Sequence, residues 1–386
     1  MSEWQSVKLK DICKLVSEKV SIKEATLTNY ISTENMLSDF GGVRDAEKLP
    51  QTTFVNSFLP EDILFSNIRT YFKKVWIADF TGTVSPDVLV LRANINCDST
   101  FLFYLMCEPS FTEYTVLTSR GAKMPRGDKE AILSYDLSLP PLPEQKAIAD
   151  VLSALDDKID LLQRQNETLE KMAETLFRQW FIEEAKEDWE EVALEDVCSR
   201  ITDGAHYSPA SQETGFSMAS VKDMYTWGIN EETCRKISLE DYEQLVIADC
   251  RAIEGDILIA KDGSYLKHVF LLEKDLDVVL LSSIAMLRPN FKYHPMLLTI
   301  FLKLQSTHEQ MKNIVTGAVI PRIVLKDFRK FPIILPPEEK QKEAIKLIEP
   351  IFNKCWVNDK QIQTLQNLRD TLLPKLMSGE VRVKLD

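Results

Sequence analysis

No stretch of the 386 residues approaches the roughly 18 uninterrupted apolar residues that a membrane-spanning helix needs. The opening Met1-Ser2-Glu3-Trp4-Gln5 lacks the basic region and apolar core of a secretory signal, so a cytoplasmic location is expected and no membrane partner. The seven cysteines (Cys13, Cys97, Cys107, Cys198, Cys234, Cys250 and Cys355) are odd in number, and no Cys-x-x-Cys occurs. They read as reduced thiols, neither a disulfide framework nor a zinc site. The four histidines, His206, His268, His294 and His308, show no metal-ligand spacing with cysteines or acids. There is no Gly-x-Gly-x-x-Gly and no Walker loop, so the chain is expected to hold no cofactor or nucleotide of its own. A basic excess is missing too. The net charge is −13, which counts against strong unaided binding to phosphate backbones.

What the chain has is a repeat. Leu139-Pro140-Pro141-Leu142-Pro143-Glu144-Gln145 returns as Leu335-Pro336-Pro337-Glu338-Glu339-Lys340-Gln341. Gly121-Ala122 and Pro125-Arg126 return as Gly317-Ala318 and Pro321-Arg322. Trp4 to Cys13 resembles Trp189 to Cys198, Asp62-Ile63-Leu64 returns as Asp256-Ile257-Leu258, and Tyr71, Lys73 and Val75 return as Tyr265, Lys267 and Val269. A duplication on this scale dictates architecture. Each copy is a globular part followed by a long helix. The helices match well and the globular parts poorly, as for a shared scaffold carrying two different surfaces.

The globular parts mix short strands with turns. Trp76–Asp79 and Asp87–Leu91 read as strands and Phe101–Glu108 as a helix. In the second copy Asp256–Ala260, Val269–Leu272 and Ala285–Leu287 read as strands and Pro295–Gln305 as a helix. The sum is α+β with a curved sheet. The helices are clearer. Pro143 and Glu144 are helix-opening residues. Ile148, Leu152, Leu155, Ile159, Leu162, Asn166, Leu169, Ala173, Leu176 and Trp180 then follow alternating steps of four and three, a heptad seam. The second seam is Ala344, Ile348, Ile351, Cys355, Asn358, Ile362, Leu365, Arg369, Leu372 and Leu376, with Pro350 expected to kink the helix or delay its regular start. A buried asparagine fixes register at some cost in stability. Asn166 and Asn358 occupy different repeat positions, yet they meet if the helices pair antiparallel about residue 164. The seam therefore predicts an antiparallel coiled coil with Asn166 facing Asn358. Helices of about 38 residues span about 57 Å at 1.5 Å per residue.

At this point a family resemblance is carried by particular residues. Leu139 to Ala149 followed by Leu155-Asp156-Asp157-Lys158-Ile159-Asp160, and the closing run Leu373 to Val383, are similar to conserved regions of the specificity subunits of type I restriction–modification systems. Tyr30 to Met36, and Thr202 to Pro209 with Gly215-Phe216 and Val221-Lys222-Asp223, resemble recognition-domain sequences of that family. The resemblance covers essentially the whole chain. It implies two pseudo-two-fold-related α+β target-recognition domains, separated by a long antiparallel two-helix coiled coil. The segments are then 1–140 (first recognition domain), 141–182 (first spacer helix), 183–334 (second recognition domain) and 335–386 (second spacer helix). It further implies that the chain reads a bipartite asymmetric double-stranded DNA target. The helices would act as a ruler that docks two methyltransferase subunits and, through them, endonuclease/translocase subunits. No catalytic site is implied, and no Asn-Pro-Pro-Tyr methyltransferase motif is present.

DNA-contacting residues are sought where bases occur without acids: Phe65–Trp76, Leu117–Arg126 and Gln310–Lys326. Arginine, lysine and asparagine read base edges, while basic and hydroxyl side chains hold phosphates. The first-domain candidates are Asn67, Arg69, Lys73 and Lys74, with the Ser119–Lys123 loop carrying Arg120 and Lys123, and Arg126. The second-domain candidates are His206, Lys261, Ser264, Tyr265, Lys267, His268, the Thr316-Gly317-Ala318 loop and Arg322. Each has a plainer alternative. A basic cluster can be solvated surface, the Gly-Ala-x-x-Pro-Arg element a structural turn, and Asp203-Gly204-x-His206 a self-bonded Asx turn. Two other functions stay in view. A nuclease would join Asp87 to Glu144 and Lys146; a scaffold would join two proteins without reading DNA.

Overall fold

The computed structural model describes residues 4–263, 266–317 and 321–384. The chain divides into two compact units, Met1–Asp160 with Gln363–Asp386, and Leu161–Ile362. Each contains a globular head and a stretch of both long helices.

The head of the first unit is built on an antiparallel sheet with strand order Cys13–Val16, Val88–Ala93, Ile63–Ser66, Val75–Ile77. Its central strands are buried on both faces, and the period of two divides their side chains between two cores. Ile63, Phe65, Leu89 and Leu91 face the helices Ser99–Cys107 and Pro109–Leu117. Leu64, Val88 and Val90 face Phe58, Val84 and Ile31, which belong to a second sheet of order Lys19–Ser21, Phe54–Phe58, Gly82–Val84, Tyr30–Ile31. Asp98 caps the helix Ser99–Cys107 by accepting from the Phe101 amide at 3.0 Å.

The head of the second unit repeats this plan. Its main sheet runs Cys198–Asp203, Ile284–Pro289, Ile257–Ala260, Val269–Leu271. Ile257, Ile259, Ala285 and Leu287 pack toward the helix Pro295–Lys303. Leu258, Ala260, Ile284 and Met286 pack the other way, with Ala219, Val278 and Leu280 of a second sheet. The expected strands and short helices are thus present, with boundaries shifted by at most two residues.

The repeated aspartate of Asp-Ile-Leu has a structural task. Asp62, 1 % exposed, accepts from Arg92 at 2.7 and 2.8 Å and from the Leu59 amide at 2.8 Å. Asp256, fully buried, accepts from Arg288 at 2.8 and 2.9 Å and from the Ile253 amide at 2.9 Å. Each fork ties a strand start to the neighbouring central strand, and the bidentate carboxylate raises the pKa of both guanidinium groups.

The long helices run Leu142–Arg178 and Glu338–Ser378. Their starts are built alike. The Gln145 amide donates to the Asn96 and Pro140 carbonyls and accepts from the Asp98 amide. Gln341 donates to the Lys292 and Pro336 carbonyls and accepts from the His294 amide. Each glutamine thus welds its helix to the start of a head helix, which is why Pro-Pro-x-x-x-Gln is duplicated. The second helix is unbroken across Pro350, contrary to a delayed start. Pro350 is exposed, as is Lys346, whose carbonyl loses its helical partner and faces water.

In the first unit Glu144 meets Arg382 and Asp156 meets Arg369, so the helix stretches run antiparallel. In the second unit Asn166 meets Asn358, and Ala173 and Phe177 share a core with Ala344, Ile348 and Ile351, again antiparallel. The expected seam positions are buried or half-buried. Beyond Ala173 the most buried positions drift to Phe177 and Phe181, away from Leu176 and Trp180, as the roughly 3.6-residue turn of a straight helix outruns a roughly 3.5-residue repeat, and the helix ends in a π-turn at Gln179–Glu183.

Candidate nucleic-acid interface

The duplicated Gly-Ala-x-x-Pro-Arg element forms a hairpin in both units. In the first, Arg120 and Arg126 exchange backbone hydrogen bonds of 2.8 and 2.9 Å. In the second, Thr316 pairs with Arg322 and Val315 with Ile323. Gly121 and Gly317 have φ of +99° and +96°, left-handed values that any side chain resists. Each hairpin docks on the loop that leaves a central strand. Pro125 O accepts from the Arg69 amide at 2.8 Å, and Pro321 O from the Gly263 amide at 2.9 Å. Sequence segments some 50 residues apart thereby become one surface, and the structural-turn and exposed-loop readings both describe it.

In the first unit this surface gathers Arg69, Arg120, Lys123 and Arg126. Arg120, Lys123 and Arg126 are exposed. Arg120 pairs with Asp128, and Arg126 lies 3.0 Å from Asp87. Lys73 lies 3.9 Å from Asp39, and Lys74 donates to the Thr33 carbonyl at 2.7 Å. Burial, then the charge of Arg44, lowers the Lys74 pKa. Asn67 is buried, with its Oδ1 unpartnered under Gly127, where a Cβ would come within 2.6 Å. Its side chain therefore faces inward, and its backbone carries the loop.

In the second unit Arg322 is exposed and lies 3.0 Å from Asp262, and Thr316 is exposed beside it. Lys261 is buried against Asp203 at 2.5 Å, and the exposed His206 lies 3.2 Å from the other oxygen of the same carboxylate. Lys267 is exposed, and the pKa of His268 is lowered by burial and then by Lys267. Ser264, Tyr265 and Ala318 lie outside the described residues.

Two features escaped the sequence. The loop cations are matched by carboxylates that lie elsewhere in the chain, because charge counts along a sequence do not register spatial pairs. The cations of these pairs are exposed or half-exposed, so solvent weakens the pairing. The second feature is a pair of exposed rings, Tyr71 and Phe72, between the basic residues.

The carboxylates of the nuclease alternative are engaged elsewhere. Asp87 pairs with Arg126. Glu144, 3 % exposed, accepts from Trp4 at 3.1 Å and from Arg382 through two bonds. Arg382, then Trp4, holds the Glu144 carboxyl below its usual pKa. Glu144 is thus more than a first-turn acid: it fastens the closing segment beside Trp4, whose ring also carries the Arg382 guanidinium at 5.2 Å. All seven cysteines are free and buried, and no group of metal-ligating side chains occurs among the described residues. No described helix is long and apolar enough to cross a membrane.

Comparisons with known proteins bear on the family and the fold. The family described as type I restriction modification DNA specificity domain matches twice, over residues 1–171 and 186–367. The MjaIX specificity subunit of Methanocaldococcus jannaschii is 27 % identical over 313 residues, covering 74 % of this chain and 70 % of its own. The HindI specificity subunit of Haemophilus influenzae is 22 % identical, covering 99 % of this chain and all of its own. The crystal structure of a type I restriction–modification S subunit from M. genitalium shares the fold, with a TM-score of 0.57, 17 % identity, and coverage of 99 % of this chain and 97 % of that one.

Proposed function

The chain belongs to the type I restriction–modification DNA specificity family, and from that membership we propose that it reads a bipartite, asymmetric double-stranded DNA target, one half-site per unit. The observation that carries this reading is the twice-built hairpin, Arg120–Arg126 and Thr316–Arg322, anchored each time on the loop that follows a central strand. Its fixed backbone and changing side chains suit two readers of different sequence. Arg120, Lys123, Arg126, Thr316 and Arg322 supply donors for base edges and phosphates. The Asp-paired cations and the acidic total support weak DNA binding by the chain alone, strengthened in a complex.

The long helices act as the spacer and present the same docking face twice. Gln145 and Gln341 make the same three hydrogen bonds, and they begin helices whose matching sequence would meet two equivalent methyltransferase subunits. Endonuclease/translocase subunits join through those. The chain contributes no catalysis and works in the cytoplasm; chemistry and cofactor binding belong to its partners. The segments 1–140, 141–182, 183–334 and 335–386 are the functional divisions of this scheme.

A module exchange tests it. Residues 183–334 are replaced by the corresponding segment of a relative, and the complex with methyltransferase subunits is mapped for methylated sites. One half-site should change while the other and the methyl transfer itself persist. A motif that changes in both halves, or in neither, overturns the assignment of one half-site to each unit.

A further inference from the structure

We propose that Tyr71 and Phe72 form an apolar reader for the C5-methyl group of a thymine in the half-site bound by the first unit. This rests on the reading of the chain as a DNA-specificity subunit and names a contact that basic residues alone do not make.

The two rings stand exposed, Tyr71 at 47 % and Phe72 at 38 %, with centroids 4.7 Å apart and planes tilted by 50°. They sit on the turn Thr70–Phe72, between the strands Ile63–Ser66 and Val75–Ile77. The turn is bracketed by Arg69 and Lys73, non-glycine residues at φ +50° and +51°. A left-handed conformation is unfavourable for such a residue. The facing segment holds two more, Asp39 at +54° and Phe40 at +60°. Their amides donate to the Phe72 and Lys73 carbonyls, each at 2.9 Å, and the Arg69 amide donates to the hairpin at Pro125 O. The turn is therefore clamped from two sides in a strained conformation, and what the clamp presents to solvent is two aromatic rings. Strain that packing sustains at one surface spot marks a functional contact.

The surroundings select the partner. Lys73, Arg69, Arg120, Lys123 and Arg126 border the turn or the hairpin docked on it, and the Lys74 ammonium lies 5.8 Å from the Phe72 ring centroid. A narrow apolar tip rimmed by cations suits the major groove, whose walls are phosphates and whose apolar feature is the thymine methyl. Two rings tilted by 50° do not enter one gap of roughly 3.4 Å together, so the pair as a unit suits a contact along the groove. The ring pair belongs to the first unit alone: Tyr71 and Lys73 recur in the sequence as Tyr265 and Lys267, but Phe72 is matched by Leu266, which is buried.

The test uses the full chain assembled with its methyltransferase subunits. Each thymine of the mapped target is replaced in turn by deoxyuridine, which removes only the methyl group. The wild type should lose about fourfold in methylation rate at one thymine, in one half-site, the loss of about one buried methyl group. The variant Tyr71→Ser/Phe72→Ser should methylate the thymine and deoxyuridine duplexes equally there. Three results overturn the proposal: a wild type indifferent to deoxyuridine at every thymine, a variant as sensitive as wild type, or a variant that no longer assembles with the methyltransferase, which would make the rings a protein contact. A wild-type complex that yields no split motif sinks the underlying reading instead, so the two failures are distinguishable.

Discussion

Replacing Asn166 and Asn358 by leucine, singly and together, tests how the second unit fixes its helix register. Asn358 is fully buried and Asn166 is 5 % exposed. Asn358 donates to Asn166 Oδ1 at 2.8 Å, and Asn166 donates to the Cys355 carbonyl at 3.2 Å. Asn358 Oδ1 has no partner. In the single variant Asn358→Leu the Asn166 carbonyl oxygen loses its donor inside the core, at about 1–3 kcal/mol. Burial of the new side chain returns about 1.5–3 kcal/mol, so the net change is small. Asn166→Leu is worse. It leaves the Asn358 amide only the long 3.4 Å bond to Gln165 Oε1, next to a carbonyl oxygen already unpartnered, at about 1–3 kcal/mol before the new leucine's burial is counted. The double variant strands neither amide and buries two leucines, so it should equal or exceed wild type in stability. The cycle should then show a coupling of about 1–2 kcal/mol. The chain has two units, so a single global melt is not the readout. Native-state hydrogen exchange over 350–362 measures local opening in the second unit. Additive substitutions, with coupling below about 0.5 kcal/mol, or a double variant whose 350–362 segment exchanges faster than in wild type, would refute the register role.

Other predictions follow from the interface and the closing segment. Asp128→Asn keeps the cap on the helix Lys129–Leu133, because asparagine accepts from the Glu130 and Ala131 amides as aspartate does; it releases Arg120, so DNA affinity of the assembled complex should rise, and an unchanged affinity would show the pair to be irrelevant. Arg120→Ala should cost about 1–3 kcal/mol and relax one position if Arg120 reads a base, or flatten the salt slope by about 1 if it holds a phosphate; no change in affinity or slope removes it from the interface. Glu144→Gln should loosen the segment after Gly379, seen as faster exchange over 379–383. Because the Glu144 carboxyl is held below its ordinary pKa, its contribution is full at neutral pH and is lost as pH falls through the lowered value; protection of the closing segment that does not fall with acid would be falsifying.

The parts legible in the sequence were those governed by periodicity and repetition. The heptad steps gave the long helices and the asparagine register, because both follow from a one-dimensional period. The duplicated glutamines marked positions whose three hydrogen bonds are repeated bond for bond. The hairpins were visible as a motif, since Gly121 and Gly317 need left-handed φ. Illegible was what depends on distant chain segments. Of the partners of the loop cations, Asp39, Asp87 and Asp262 arrive from other loops, and Asp128 lies just beyond the acid-free run that ends at Arg126, so none entered the local charge pattern. Asn67 and Lys261 read as surface polar residues, but the docked hairpins cover the loop they sit on. Tyr71 was found by repetition, yet its exposure rests on the clamp by Asp39 and Phe40, which nothing local announces.

The central claim is that two units of one chain read two separate half-sites. Sequencing of methylated adenines, on DNA modified by the wild-type chain assembled with its methyltransferase subunits, tests it most directly. The account predicts one motif of two unlike specific blocks separated by a fixed run of unspecified bases. A single uninterrupted motif, or a motif that does not depend on which specificity chain is supplied, would contradict it.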